Sequence, residues 1–193
     1  MKVGVIVLAA GGSSRMSSPK QLMRYRGETL IRRAAQTAVE SNCAQVAVVI
    51  GSNAPQMRCE LDDLPVSVVE NQNCQTGMSS SIRAGLDDLR RHDLDGIVIM
   101  LCDQPFVTAG ILNHLISTHR QTGKPIVASS YETTQGVPAF FSGELFTAVT
   151  SLSADEGARR IIAKHPELVA TINFPEGAID IDTPDDHKRH KED

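Results

Sequence analysis

The chain has 193 residues, of which 41% are hydrophobic and 22% are charged, and its formal net charge is −4. This composition is typical of a globular protein and argues against disorder. Because the net charge is negative, we expect neither nucleic acid nor a membrane as a partner. A nucleotide ligand would need a local cationic pocket.

The length lies within the range of a single domain, since domains reach about 250 residues. No linker, repeat or low-complexity tract divides the sequence, so we predict one domain over residues 1–193. The N-terminal apolar run is too short for a signal peptide or a membrane span. The four cysteines form no Cys-x-x-Cys pair, and we predict reduced thiols in a cytoplasmic protein.

Short apolar runs predict buried strands, and amphipathic stretches between them predict helices. The predicted strands cover residues 3–8, 46–50, 66–69, 97–101 and 126–128. This alternation predicts a three-layer α/β/α sandwich with a mostly parallel mixed sheet, Rossmann-like in architecture. The stretch 131–141, which contains Gly136 and Pro138, interrupts the alternation and predicts an antiparallel excursion.

Capping signals predict several helix starts, one of them at residues 183–186, Thr-Pro-Asp-Asp, which lie outside the residues described below. Thr29 precedes a helix whose apolar face includes residues 30, 31, 34, 35 and 38. Residues 153–156, Ser-Ala-Asp-Glu, form a capping box that predicts a helix through residues 161 and 162.

The loop after the first strand presents backbone amides without bulky side chains. Gly11 and Gly12 permit the concave nest of N–H groups that suits a triphosphate. Arg15 and Lys20 add charge that could bind phosphate oxygens. The loop matches neither of the common glycine-rich phosphate motifs, and a surface loop with two incidental cations is equally consistent with these residues alone.

Carboxylates follow two of the predicted strands, where ligands bind in an open α/β sheet. Asp103 ends the strand 97–101 and could hold a magnesium ion, or could serve as a turn residue. The alternation of isoleucine and aspartate before residue 182 predicts a further strand end after residue 181, and Asp180 and Asp182 would point to the same side of it, because strand side chains alternate. Asp182 could complete the metal site.

A third segment of interest, residues 71–86, follows the strand 66–69. It contains Asn71, Gly77 and three serines at the start of a predicted helix. One serine could cap the helix. The others could read the edge of a base.

Residues 8–16, Leu-Ala-Ala-Gly-Gly-Ser-Ser-Arg-Met, followed by Pro-Lys-Gln at 19–21, resemble the signature of nucleotidyltransferases with a glycosyltransferase-A-like fold. Ser17 stands where that family usually has glycine. The resemblance implies that this segment wraps the nucleotide and that Arg15 and Lys20 act in catalysis on its phosphates. The nucleotide-binding residues that it implies here are Leu8, Ala9, Ala10, Gly11, Gly12, Ser13, Arg15 and Lys20.

Two further segments extend the resemblance. Residues 103–105, Asp-Gln-Pro, are similar to the metal-binding Asp-x-Pro of the same family, and residues 180–186 are similar to the acidic ending of its molybdenum cofactor branch. The resemblance implies that Asp103 is catalytic and contacts the nucleotide. It also implies that Asp103 and Asp182 hold Mg²⁺, with Mn²⁺ as the alternative.

The segment 71–86 resembles the cytidylyltransferases of that branch. The resemblance implies that the nucleotide site includes Asn71, Gly77, Ser79 and Ser81, and that the serine at position 81 contacts cytosine. The guanylyl branch has Ala-Gly where this chain has Ala9 and Ala10. Both features favour CTP over GTP.

The implied reaction is transfer of CMP from CTP to a phosphorylated acceptor, molybdopterin, with release of pyrophosphate. A molybdoenzyme or its chaperone is an implied partner. Alternatives are a guanylyltransferase, another sugar- or alcohol-phosphate nucleotidyltransferase of the same fold, and a non-catalytic nucleotide-binding maturation factor. The segment 135–140 keeps Gly-Val-Pro but lacks the histidine often found near the acceptor, so the acceptor stays open.

Overall fold

The computed structural model describes residues 1–11, 19–51, 54–154 and 156–181, and in these ranges the strands form one large sheet and a small ribbon. The sheet strands are β1 (Val3–Ala9), β4 (Gln45–Ile50), β5 (Ser67–Glu70), β6 (Gly96–Leu101), β7 (Ile126–Tyr131), β8 (Thr134–Ser142) and β9 (Val169–Asn173). The ribbon pairs β2 (Arg24–Tyr25) with β3 (Glu28–Thr29).

The large sheet has the order β5-β4-β1-β6-β8-β7-β9. Its strands run parallel except for β8, which is antiparallel to both β6 and β7. The predicted mostly parallel sheet is therefore confirmed, and β8 is the antiparallel excursion expected over 131–141. β9 was missed, because its residues carry no continuous apolar run and it forms by pairing with β7 far away in sequence.

Helices cover both faces of the sheet. They are α1 (Leu30–Val39), α2 (Ala54–Cys59), α3 (Met78–Leu89), α4 (Ala109–Thr122), α5 (Phe146–Thr150) and α6 (Ala158–Lys164). Val5 and Val7 of β1 pack in a core with α1, α2 and α4, whereas Ile6 and Leu8 pack with α3, α5 and α6. This alternation of β1 side chains between two cores produces the predicted three layers.

Helix α3 approaches the sheet very closely. A Cβ atom at Gly85 would lie 2.7 Å from Cγ2 of Ile6 and 3.0 Å from Cγ2 of Val49, so a side chain there would push the helix away. Because Ile6 and Val49 belong to β1 and β4, glycine at this position seats α3 over the two strands.

The capping predictions have different outcomes. Thr29 caps α1, since its Oγ1 accepts a hydrogen bond from the Arg32 N–H at 3.4 Å. Glu156 Oε2 accepts from the Ser153 N–H at 3.0 Å, which is one half of a capping box and holds the pKa of the Glu156 carboxyl below its usual value. The α-helix itself begins later, with Gly157 at its N-cap.

The expectation of a strand at Asp180 is wrong. After β9 the chain makes a 3-10 turn over Pro175–Ala178, and residues 179–181 form no strand. The alternation of isoleucine and aspartate in this segment resembles a strand, but residues 179–181 pair with no strand among the described residues. The Ile181 N–H donates a backbone hydrogen bond to the Asp103 carbonyl at 3.0 Å.

Among the described residues, no helix combines the length and apolar character needed to cross a bilayer.

Candidate active site

A cavity of about 290 Å³ opens where β1 and β6 end, facing the start of α3. Such a position, beyond the carboxyl ends of parallel strands, is where ligands bind in open α/β sheets. Its lining residues are Leu8, Ala10, Gly11, Lys20, Gln21, Cys74, Gly77, Met78, Ser81, Leu101, Cys102 and Asp103.

Lys20 and Asp103 form an ion pair in this cavity. Lys20 Nζ lies 2.5 Å from Asp103 Oδ2, and the two side chains are only 17% and 11% exposed. The other carboxylate oxygen, Oδ1, is buried without a hydrogen-bond donor among the described residues. A buried acceptor in this condition carries an uncompensated desolvation cost, which a cation or a donor from a ligand would offset.

The turn that carries Lys20 is tied to the loop after β1. Lys20 opens a 3-10 turn, Lys20–Leu22, and the neighbouring Gln21 is 1% exposed. Gln21 Nε2 donates a hydrogen bond to the Gly11 carbonyl at 2.6 Å. The amide therefore fixes the distance between the first residues of the loop and the lysine.

Asn71 organises the opposite side of the cavity. Its Nδ2 donates to Ser80 Oγ at 2.8 Å and to Ser81 Oγ at 2.9 Å, and its Oδ1 accepts from the Asn73 N–H at 2.9 Å. Asn71 itself is buried and lines an adjoining pocket rather than this cavity. Its effect on the cavity is to hold Ser81 in place.

The structure does not bring Ser79 to the cavity. This serine is fully buried, its Oγ donates to the Ala154 carbonyl at 3.2 Å, and Arg83 Nη2 donates to it at 3.3 Å. The nucleotide contact expected of Ser79 stays a prediction, and these bonds do not support it. Nor does any of the three serines cap α3 through its side chain, because the N-cap residue is Gly77.

Several residues expected from the sequence do meet at the cavity: Leu8, Ala10, Gly11, Lys20, Gly77, Ser81 and Asp103. Ala9 is a buried residue of β1 and is not part of the lining. Gly12, Ser13, Arg15 and Asp182 lie outside the described residues, so their expected roles stay predictions.

Sequence reasoning assigned no role in the cavity to Gln21, Cys74, Met78, Leu101 and Cys102, which line it. Their position along the sequence could have indicated them, since each lies within four residues of a residue that the sequence analysis named. Cys102 is 3% exposed, and burial, with the nearby Asp103 charge, raises the pKa of its thiol. It therefore stays protonated and packs as a small apolar residue.

Gln104 joins the end of β6 to two more distant segments. Its Nε2 donates to the Gly177 carbonyl at 3.0 Å and to the Val137 carbonyl at 3.2 Å. Together with the bond from Ile181 to Asp103, this places the Gly-Val-Pro segment and the chain leading to residue 182 next to Asp103.

The described residues contain no group of three or more metal-ligating side chains. A magnesium-type cation in a nucleotide site needs fewer, because it is usually bound by one or two carboxylates together with substrate phosphates. The unsatisfied Asp103 Oδ1 fits such a cation.

Comparison with known proteins gives a consistent result. Residues 5–169 match the model of the MobA-like NTP transferase domain. Nicotine blue oxidoreductase of Paenarthrobacter nicotinovorans is 33% identical over 189 residues, covering 92% of this chain and 91% of that protein. Purine catabolism protein PucB of Bacillus subtilis is 30% identical over 204 residues, covering 94% and 92%.

Solved structures agree with the fold described above. Rv0371c from Mycobacterium tuberculosis has a TM-score of 0.86 and 29% identity, covering all of this chain and 98% of that one. A second structure of Rv0371c, in complex with manganese, has a TM-score of 0.82 and 28% identity, covering 100% and 99%.

Proposed function

We propose that this chain, a nucleotidyltransferase that belongs to the MobA-like NTP transferase family, transfers CMP from CTP to a phosphorylated acceptor. The observation that carries the proposal is the Lys20–Asp103 pair, 2.5 Å apart in a cavity at the strand ends. A cation for phosphates and a carboxylate for a metal, side by side, are the groups that phosphoryl-type transfer requires.

A divalent cation is the second part of the proposal. Asp103 would hold it through Oδ1, with Asp182 as a further carboxylate; the described chain reaches Ile181, which is hydrogen bonded to Asp103. We propose Mg²⁺, with Mn²⁺ as the alternative, and the manganese complex of Rv0371c supports a divalent ion. Such an ion neutralises charge on the triphosphate.

The protein's own groups would act by binding and positioning. An oxygen of the acceptor phosphate attacks the α-phosphorus of CTP, the bond from that phosphorus to the bridging oxygen breaks, and pyrophosphate leaves. Lys20, with Arg15, would bind the phosphates and stabilise the developing negative charge. Lys20 is paired with Asp103, and because an ammonium group carries three N–H donors, it could contact phosphate oxygens while it keeps this carboxylate or in exchange for it.

The preference for CTP rests on the side of the cavity at α3. Ser81 Oγ accepts from Asn71, and among the described residues it donates to no acceptor, so its proton is available to a base. Ala10 adds a methyl group to the same cavity, which narrows the room for a purine. Gly77, which precedes α3, also lines this cavity.

Molybdopterin is the acceptor that we propose, and the product would be its cytosine dinucleotide. Gln104 holds the Gly-Val-Pro segment close to Asp103, where an acceptor phosphate would have to lie. The chain would then serve a molybdoenzyme or its chaperone. Two alternative reactions fit the same site. In one, GTP replaces CTP as the nucleotide; in the other, a sugar phosphate or an alcohol phosphate replaces molybdopterin as the acceptor.

The name of the relative from Paenarthrobacter denotes an oxidoreductase. This chain contains no Gly-x-Gly-x-x-Gly, the fingerprint of dinucleotide cofactor binding in a Rossmann-type fold. The Lys20–Asp103 pair favours nucleotidyl transfer instead.

The test is a panel of acceptors, including molybdopterin and several sugar phosphates, incubated with CTP and Mg²⁺ and read by pyrophosphate release and product mass. We expect a CMP adduct of molybdopterin in the wild type and in a control variant, Lys164→Ala, which alters a lysine outside the cavity. If CMP were instead transferred to one of the sugar phosphates, that compound would replace molybdopterin as the proposed acceptor. Absence of any adduct with every acceptor would contradict the proposal.

A further inference from the structure

The walls of the cavity differ in character, and Met78 is unusual among them. Lys20, Gln21 and Asp103 form a polar end, whereas Cys74 and Met78 bring sulfur to the side at α3. Met78 is 44% exposed, and among the described residues the other large hydrophobic side chain with comparable exposure is the terminal Met1. An apolar side chain that lines a cavity and is left uncovered is suited to contact with a ligand.

The start of α3 fixes where Met78 lies. Gly77, the N-cap, has φ 111° and ψ 172°, a conformation that glycine adopts easily and other residues rarely. Met78 is therefore the first residue of the helix, and Ser81 follows three positions later. Residues three apart lie on the same side of a helix, and both line the cavity.

Gly157 leaves the space that the Met78 thioether occupies. A Cβ atom at Gly157 would lie 2.7 Å from Met78 Sδ, closer than real contacts allow. Gly157 has φ −107° and ψ −178°, an extended backbone that alanine adopts without strain. Glycine at position 157 therefore leaves room for the sulfur atom of Met78. A methyl group at this position would displace the Met78 side chain without straining the backbone at residue 157.

We propose that Met78 packs against the face of the nucleotide base while Ser81 contacts its edge. This inference rests on the proposed function, in which the cavity binds CTP. A thioether makes favourable contacts with aromatic rings, and every base presents a π-face. Met78 therefore contributes affinity for any base, and Ser81 contributes the choice between bases.

The experiment compares the dissociation constants of CTP, GTP and inorganic tripolyphosphate by calorimetry with Mg²⁺, for the wild type, Met78→Ala, Met78→Leu and Gly157→Ala. Tripolyphosphate has no base, so it reports on the phosphate end alone. For Met78→Ala we expect CTP and GTP to weaken by a similar factor, about two- to tenfold. Tripolyphosphate affinity should not change.

The other two variants test whether the loss of affinity comes from the apolar contact of the side chain at position 78. Met78→Leu keeps an apolar side chain and should retain most of the affinity, whereas Gly157→Ala should weaken both nucleotides as Met78→Ala does, with tripolyphosphate again unchanged. Unchanged CTP affinity in both Met78→Ala and Gly157→Ala would overturn the inference and leave the proposed function intact. An equal loss for tripolyphosphate would also overturn it. Failure of the wild type to bind CTP would overturn the proposed function, and the inference with it.

Discussion

The two ends of the cavity are built from different chemistry, and the difference indicates a division of labour. The polar end combines an ammonium and a carboxylate, Lys20 and Asp103, at the ends of parallel strands. The end at α3 offers the Ser81 hydroxyl, the Cys74 thiol and the Met78 thioether. Charge is what transfer at a phosphorus atom requires, whereas hydroxyls and apolar surface are suited to a base. Changes at the polar end should therefore reduce the rate with every nucleotide. At α3, changes to the Ser81 contact should alter which nucleotide is used, whereas changes to Met78 should weaken all nucleotides alike.

The largest effect is expected at Asp103. Asp103→Asn should lower kcat by about 10²–10³, because it removes the charge that we assign to metal binding beside the triphosphate. Pyrophosphate release over a Mg²⁺ titration measures it, and circular dichroism checks that the fold survives the loss of the Lys20 partner. Asp62→Asn, an exposed carboxylate, is the control. A variant with normal turnover and a normal magnesium requirement would remove Asp103 from the mechanism.

Lys20→Met should act in two opposite directions. Nucleotide affinity should fall by about 1 kcal/mol or more, roughly fivefold, since a charge-assisted phosphate contact is lost. Mn²⁺ affinity in the absence of nucleotide should rise severalfold, because the cation that now occupies Asp103 Oδ2 is gone. Mn²⁺ titration by electron paramagnetic resonance reads the second effect. Weaker Mn²⁺ binding in this variant would show that Lys20 does not compete with the metal.

Arg15 lies outside the described residues, and its role at the polar end stays a prediction. Arg15→Ala should also weaken nucleotide use by about 1 kcal/mol or more, through loss of a phosphate contact. Steady-state kinetics with CTP and a triphosphate titration measure it. If this variant and Lys20→Met both kept wild-type affinity and rate, the phosphate-binding loop would be the wrong assignment.

At the α3 end, Ser81→Ala should change selectivity more than rate. One hydrogen bond to a base contributes about 0.5–1.5 kcal/mol, so the ratio of kcat/KM for CTP and GTP should fall by about two- to tenfold. Ser79→Ala is the matched control, because that hydroxyl binds the Ala154 carbonyl instead. Equal changes of the ratio in both serine variants would contradict the assignment.

The smallest effect is expected from Asn71→Ala, which keeps the serine at position 81 but removes the amide that orients the Ser81 hydroxyl. The CTP to GTP ratio should move in the same direction as in Ser81→Ala, and less far. Because the two residues act through one hydrogen bond, the double variant should show less than the sum of the separate losses. An additive double variant would mean that Asn71 acts independently of Ser81.

Part of the polar end could be predicted from the sequence because Asp103 closely follows a buried strand and Lys20 belongs to the segment after another. Apolar runs that end at residues 8 and 101 place the side chains that follow them at the same sheet edge when the two strands run parallel, as β1 and β6 do. The sequence could not show that Lys20 pairs with Asp103, because that contact joins positions 83 residues apart. The sequence likewise included Gln21 only as the last residue of the Pro-Lys-Gln motif and did not predict its hydrogen bond to Gly11.

The α3 end was predicted less well, and the geometry of a helix explains why. Successive residues rotate by about 100°, so three adjacent serines point in three directions. Ser79 faces the Ala154 carbonyl, Ser80 faces the carbonyls of Asn73 and Gly77, and Ser81 faces Asn71 and the cavity. Without the orientation of the helix, the sequence could not distinguish them.

β9 and residues 179–181 show a similar limit. β9 is defined by pairing with β7, which lies about 40 residues earlier in the chain and gives no local signal. Residues 179–181 have the alternating pattern of a strand, but they pair with no neighbouring strand among the described residues. The single-domain prediction and the expected cytoplasmic location stay predictions.

The most direct test of the central claim is a competition between equal concentrations of CTP and GTP, with Mg²⁺ and molybdopterin, read by the mass of the product. The narrowed base site and the Ser81 contact predict at least a tenfold excess of the CMP adduct, about 1.4 kcal/mol in kcat/KM. Equal incorporation of the two nucleotides, or an excess of the GMP adduct, would contradict the assignment of CTP.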